Sequence, residues 1–180
     1  MKKLLSILLC VVMCVTFLAA CGNDPAKEAT KALTDTLDII KSGDAKKLAE
    51  VGFTDEELPE EDLVIIKAFF GNLKYTVKDA VAVDENTVNV TVEITNVDMG
   101  TVFTEYFTQA MAKYMEDESW EDDGSLLNSV IADTDETITK TATVKLLKTN
   151  GTWDFDADEN YDFADAITGG LNSFAENFEE

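Results

Sequence analysis

The feature that most restricts the fold is a change of period near residue 72. Upstream, apolar residues recur every three or four positions; from Leu73 onward they recur every second one. Leu73, Tyr75, Val77, Val81 and Val83 alternate with Lys74, Thr76, Lys78 and Ala82. After the turn residues Asp84-Glu85-Asn86, Val88, Val90, Val92 and Ile94 alternate with Asn89, Thr91, Glu93 and Thr95. A strand points successive side chains to opposite faces, so this is a hairpin with one apolar and one polar face. A slip of one residue would turn every valine to solvent, which pins the register. Farther on, Ile138, Ala142, Val144 and Leu146 lead into Asn150-Gly151, and Trp153 and Phe155 begin a return. Asn-Gly is the strongest signal for a two-residue hairpin turn, because both turn positions need positive φ.

Helices fill the rest. Asp24 is placed to cap a helix that opens on Pro25, carries Ala26, Ala29, Leu33, Leu37 and Ile40 on one stripe, and stops at Ser42-Gly43. Asp44 heads a short helix from Ala45 to Val51. Thr54 and Glu57 have capping-box spacing before a helix from Pro59 through Phe70. Between the hairpins, Asp98 precedes a helix with a broad aromatic stripe, from Met99 through Phe103, Tyr106, Phe107 and Met111 to Tyr114, and a short helix follows at Leu126–Ala132. The chain ends on Phe163, Ile167, Leu171, Phe174 and Phe178, read as one helix weakened by Gly169-Gly170 at about 1 kcal/mol per glycine. The prediction is an α+β fold: a four-stranded antiparallel sheet of two hairpins whose apolar face several helices cover.

The first residues give an address. Met1-Lys2-Lys3 is a positive start, Leu4 to Ala20 is apolar apart from Ser6 and Thr16, and the run closes on Leu18-Ala19-Ala20-Cys21-Gly22. A run of this length approaches the lower limit for a membrane-spanning helix, about 17 residues. Its ending decides for a leader instead, because small residues before a cysteine resemble the lipobox of bacterial lipoproteins. Residues 1–20 are then a cleaved signal peptide, 21–24 a lipidated start and short tether, and 25–180 one domain. Cys10 and Cys14 leave with the leader, so Cys21 is the one thiol that remains, and a diacylglyceryl group on it excludes a disulfide. Two acyl chains hold a protein stably on a bilayer where one does so only marginally. The expected place is the outer face of the cytoplasmic membrane.

Composition then excludes function classes. All 14 basic residues are lysines, set against 36 acids, and there is no histidine, for a formal charge of −22. Without His there is no Ser-His-Asp or Cys-His relay and no imidazole metal ligand. Without Arg there is no bidentate clamp on phosphate. So acidic a chain is no nucleic-acid binder, and it is repelled by anionic headgroups, which leaves the lipid as the force that holds it to a membrane.

The lipobox, Lys41-Ser-Gly-Asp-Ala-Lys-Lys-Leu48, Ile94-Thr-Asn-Val-Asp-Met99 and Lys148-Thr-Asn-Gly-Thr-Trp153 together resemble small Firmicutes lipoproteins with a cystatin-like or nuclear-transport-factor-2-like domain. The resemblance covers most of residues 21–180. It implies a curved sheet wrapped around a helix, with a pocket or a dimer surface as the functional feature and no agreed catalytic residues. The well-known enzymes of that broad fold work through His or Asp–His pairs, which this chain lacks.

Three segments could carry chemistry. Asp154, Asp156, Asp158, Asn160 and Asp162 place oxygen ligands at alternate positions, with Asp165 twelfth, as a calcium loop does. Glu159 stands where the sharp turn needs Gly, and Asp165 is shorter than the usual bidentate Glu. The expected role of these acids is to cap a helix N-terminus, with Ca²⁺ held weakly if at all and no other cofactor. Glu116–Asp123 holds six acids in eight residues, a solvated loop or a shared cation site. Phe103, Tyr106, Tyr114 and Trp153 are the candidate pocket, although an aromatic stripe at helical spacing is ordinarily core. The expected function is a membrane-anchored, non-catalytic module that binds an extracytoplasmic protein, wall polymer or small ligand. The alternative is a carrier or sensor with an apolar small-ligand pocket between sheet and helices.

Overall fold

The computed structural model describes residues 24–50, 60–155 and 158–176. The leader, Cys21, the Thr54/Glu57 capping box, Asp156 and Phe178 lie outside the described residues.

Helix α1 (Pro25–Ser42) forms as its ends dictate. The Asp24 carboxylate accepts from the backbone N–H groups of Ala26 and Lys27, at 3.1 and 3.4 Å, satisfying donors that the first turn leaves orphaned. Gly43 closes it at φ 60°, and its N–H reaches Ile40 O. Ala29, Leu33, Leu37 and Ile40 are buried, which is the expected stripe. Asp44 then heads α2 (Ala45–Glu50), accepting from Lys47 N at 3.2 Å, and Leu48 is buried. Helix α3 (Glu60–Phe70) seats Phe69 and Phe70 in the core with their rings edge to face, 4.6 Å apart.

The sheet has four strands in the order β1 (Lys74–Ala82), β2 (Thr87–Val97), β3 (Thr137–Thr149) and β4 (Thr152–Asp154), all antiparallel to their neighbours. Two hairpins joined side by side make it, as predicted. Val88, Val90, Val92 and Ile94 are fully buried, and so are Val144 and Leu146 on β3. Burying such side chains contributes about 1.5–3 kcal/mol each. On the opposite face Thr91 faces Thr143 and Thr95 faces Thr139, with hydroxyl oxygens 3.2 and 2.7 Å apart. At the second turn Asn150 has φ 54° and Gly151 φ 86°, both positive as that hairpin type requires.

β1 departs from its expected alternation. Val77 pairs with Val92 but Asp79 with Thr91, so Lys78 is an extra residue, a bulge. Beyond it the phase inverts: Ala80 and Ala82 turn inward while Val81 and Val83, expected on the apolar face, are 54% and 61% exposed. Ahead of the bulge Tyr75 keeps its place and donates to Asp38 on α1 at 2.7 Å. Burial, and then Asp38, push its hydroxyl up to about 12.

Two helices separate the hairpins, α4 (Met99–Glu116) and α5 (Ser125–Asp133). The expected single C-terminal helix is two, α6 (Tyr161–Ile167) and α7 (Leu171–Glu176). Gly169 and Gly170 sit at φ 61° and 78°, and the N–H of Gly170 reaches back to Asp165 O at 2.8 Å, which ends α6 as a Schellman stop. Gly169 also lies against the end of β2: a Cβ there would come within 2.0 Å of Val97 O. The pair is a designed corner rather than a weak spot in a helix.

Candidate functional site

Four of the candidate ligand side chains in the acidic segment are described, those of Asp154, Asn160, Asp162 and Asp165. Asp154 is exposed, and its carboxylate turns back to accept from Phe155 N at 2.8 Å. The Asn160 amide is bonded to the edge of β3. Its Oδ1 accepts from Lys145 N at 2.8 Å and its Nδ2 donates to Lys145 O at 3.4 Å. That amide continues the ladder where β4 stops, satisfying edge groups of β3 that would otherwise lie open. Asn160 stands at the N-cap of α6 but makes no side-chain cap bond, so the expected capping role is not its role either. Asp162 is exposed in the first turn of α6, where the helix dipole favours a carboxylate. Asp158 belongs to a short 3₁₀ turn, Asp158–Asn160. Among the described residues no group of three or more acids or cysteines is placed to hold a metal ion.

Asp165 has an occupation of its own. It is buried, and Lys140 reaches it from the inner face of β3, where that lysine stands opposite Ile94. Ser173 completes the cluster: its N–H and hydroxyl donate to the two Asp165 oxygens at 2.9 and 2.6 Å, and Lys140 Nζ lies 2.9 Å from the hydroxyl oxygen. Burial works to raise the Asp165 carboxyl, but the hydrogen bonds from Lys140 and Ser173 outweigh it and hold the pKa below its ordinary value. Beside it the buried Asn96 donates to Ile167 O at 2.8 Å, and Met99 N donates to Gly169 O at 3.0 Å. These bonds lock the α6–α7 corner to the end of β2 and the start of α4.

The candidate pocket residues do not converge. Trp153 is on β4 against α1, its Nε1 3.4 Å from Glu28 Oε2 and Lys148 Nζ 5.4 Å from its ring centroid. Lys148 closes that cluster with an ion pair to Glu28 at 2.6 Å. Phe103 is half-buried between Phe107 and Phe174, with ring centroids 6.0 and 6.1 Å away. Tyr106 is half-buried; desolvation and then a hydrogen bond to Asp122 push its hydroxyl up. Tyr114 faces solvent. The aromatic stripe of α4 is divided along its length: Met99 and Val102 are buried, Phe103, Tyr106 and Ala110 pack half-buried against the core, and Phe107, Met111, Tyr114 and Met115 are 61%, 64%, 51% and 80% exposed.

The acid-rich loop that follows α4 uses its carboxylates locally. Asp117 accepts from Ser119 N and Oγ at 2.9 and 2.7 Å, Asp122 from Gly124 N at 3.1 Å, and Asp123 from Ser125 N at 3.0 Å. Hydrogen bonds to Ser119 and Ser125 lower the Asp117 and Asp123 carboxyls. Trp120 folds back on α4 with Lys113 Nζ 5.9 Å from its ring. Elsewhere a shallow groove of about 420 Å³, open to solvent, runs between α1 (Ala26, Lys27, Thr30, Lys31, Thr34) and Ala80 on β1. Both of its lysines are engaged, Lys27 with Asp24 and Lys31 with Asp35.

Sequence reasoning missed the Lys140–Asp165–Ser173 and Glu28–Lys148–Trp153 clusters. Their members stand up to 33 and 125 residues apart, and no local spacing announces them.

No family model matches the sequence, and no curated protein matches it. Among solved structures, the chain is similar to a candidate lipoprotein, ycdA, from Bacillus subtilis, with a TM-score of 0.40 and 15% identity. The match covers 78% of this chain and 46% of that one, so the chain spans less than half of its length. Among the described residues no helix is long and apolar enough to cross a membrane.

Proposed function

We propose that the protein is a lipoprotein held outside the cytoplasmic membrane by a diacylglyceryl group on Cys21, where it acts as a non-catalytic interaction module. One observation carries the choice of interaction over carriage: the aromatic residues expected to enclose a ligand are dispersed, and four large apolar side chains of α4 lie on the surface instead. Contiguous exposed apolar side chains mark association surfaces in soluble domains. The anchor is supported by the order of charge, apolar run and Leu-Ala-Ala-Cys, and the chain enters the fold only three residues beyond Cys21. The helix-bearing antiparallel sheet supports the cystatin-like expectation. The absence of His and Arg from the whole sequence supports a role without catalysis.

The test is Cys21→Ser expressed in cells. The wild type should stay with membranes through a carbonate wash, and the variant should lose both retention and lipoprotein-type processing. Retention of the variant would replace the lipid with an uncleaved signal anchor. Native mass spectrometry of the purified wild type should give the mature chain plus its acyl lipid alone; a stoichiometric small molecule would revive the carrier reading.

A further inference from the structure

The surface of α4 is unusual within so acidic a chain. Phe103, Thr104, Phe107, Thr108, Met111, Tyr114 and Met115 share one side of the helix at three- and four-residue steps, and none is charged. The borders of that side are acidic. From Met99 to Gly124 there are seven acids, Glu105 and Glu116 on the helix and five in the loop that folds back beside it, against one base. That base, Lys113, is placed over the Trp120 ring. Methionine and aromatic side chains are the residues that protein interfaces concentrate, and methionine adapts its shape to a partner.

Charge and position together select the occupant. A second copy would set the same acidic borders against each other. An anionic lipid surface would be repelled by them. With Cys21 as the anchor, the membrane also lies toward the end of the sheet opposite the start of α4. Three residues bridge at most about 11 Å between Cys21 and Asp24. From there α1 starts beside Ala80 and Lys148, next to the first residues of β2. Helix α4 starts two residues after Val97, the last residue of β2 and ten positions from its first at about 3.3 Å each, and its packing is with α5 and α7. We propose that the exposed Phe107–Met111–Tyr114–Met115 face of α4 docks a cationic amphipathic helix of a partner protein, its apolar stripe on these residues and its lysines or arginines against the flanking acids. This rests on the reading of the protein as an interaction module and names the partner's chemistry.

The experiment titrates the full chain, lipid-anchored in phosphatidylcholine nanodiscs, with a fluorescent synthetic helix of Leu on one face and Lys on the other. Binding should saturate at one peptide per chain and weaken on going from about 50 to about 300 mM NaCl. Phe107→Ser with Met111→Ser leaves the net charge unchanged and should weaken binding by about tenfold or more. Should that double variant melt early, Met115→Ser, at the most exposed position, takes its place with a loss of about threefold or more. Equal affinity of wild type and variant would overturn the proposal, because binding would then be charge alone. So would a wild-type dimer in sedimentation that the double variant abolishes, or wild-type binding to phosphatidylglycerol vesicles that it abolishes. Membrane retention of the double variant through Cys21 should be unaffected, so a failed titration removes this face and leaves the anchor reading standing.

Discussion

Helices α1 and α4 have the same length, 18 residues, and begin the same way. Asp24 and Asp98 both sit at φ −74°, with ψ 107° and 105°, and each carboxylate accepts from the first turn. Both carry a regular apolar stripe. Yet α1 buries four residues of its stripe along most of its length, whereas α4 buries Met99 and Val102 in its first turn and leaves its second half in solvent. Periodicity declares that a helix has a face, and only the neighbours decide whether the face is used inside the chain or offered outward. α1 lies on the sheet, and α4 is pinned at one end by the Gly169 corner.

That contrast can be broken from its strongest point downward. Asp165→Ala should have the largest effect, about 3–5 kcal/mol in denaturant unfolding, because it leaves Lys140 without its buried counter-charge and loosens the corner that holds α4. The pH dependence has a definite sign. A carboxyl held below its ordinary 3.8 in the fold stabilises fully above that value, and the contribution is lost as pH falls through the folded pKa. Asp165→Asn should therefore flatten the acid limb of the stability profile and leave neutral-to-alkaline slopes alone.

Leu37→Ala on α1 comes next, with about 2–5 kcal/mol lost to a cavity in the α1–sheet core. The two caps sharpen the comparison further. Asp98→Ala should cost about 1 kcal/mol, and Asp24→Ala should destabilise as well, since the two caps share their backbone geometry. A much larger loss for Asp98→Ala would mean that the start of α4 does more than cap itself. Smallest of all, Phe107→Ser with Met111→Ser should change the melting free energy by no more than about 0.5 kcal/mol. Hydrogen exchange should agree, with amides of α1 protected nearly to global stability and those of the second half of α4 opening far more readily. Strong protection of Met111 to Met115 would contradict an exposed second half of the helix.

What the amino-acid sequence determined by itself are the features whose causes lie within a few residues. Asp24, Pro25 and Gly43 bound α1, Asn150-Gly151 turn the second hairpin, and the Val88–Ile94 alternation faces inward without a register error. Caps, positive φ and side-chain period act through the nearest turn of backbone, so they can be read in order along the chain. Tertiary structure decided the rest. The bulge at Lys78 inverted Val81 and Val83, because pairing with β2 left one residue over. Asn160 bonds the β3 edge because the short β4 leaves those groups for it to satisfy, and Asp165 is engaged by Lys140 from the inner face of β3. The aromatic stripe of α4 was plain in the sequence as a stripe. Its fate was set by its neighbours: the corner at Gly169, which joins residues 70 positions apart in sequence, fixes where the helix starts, and Phe103, Tyr106 and Ala110 pack on the core while the Phe107, Met111, Tyr114 and Met115 side is left uncovered.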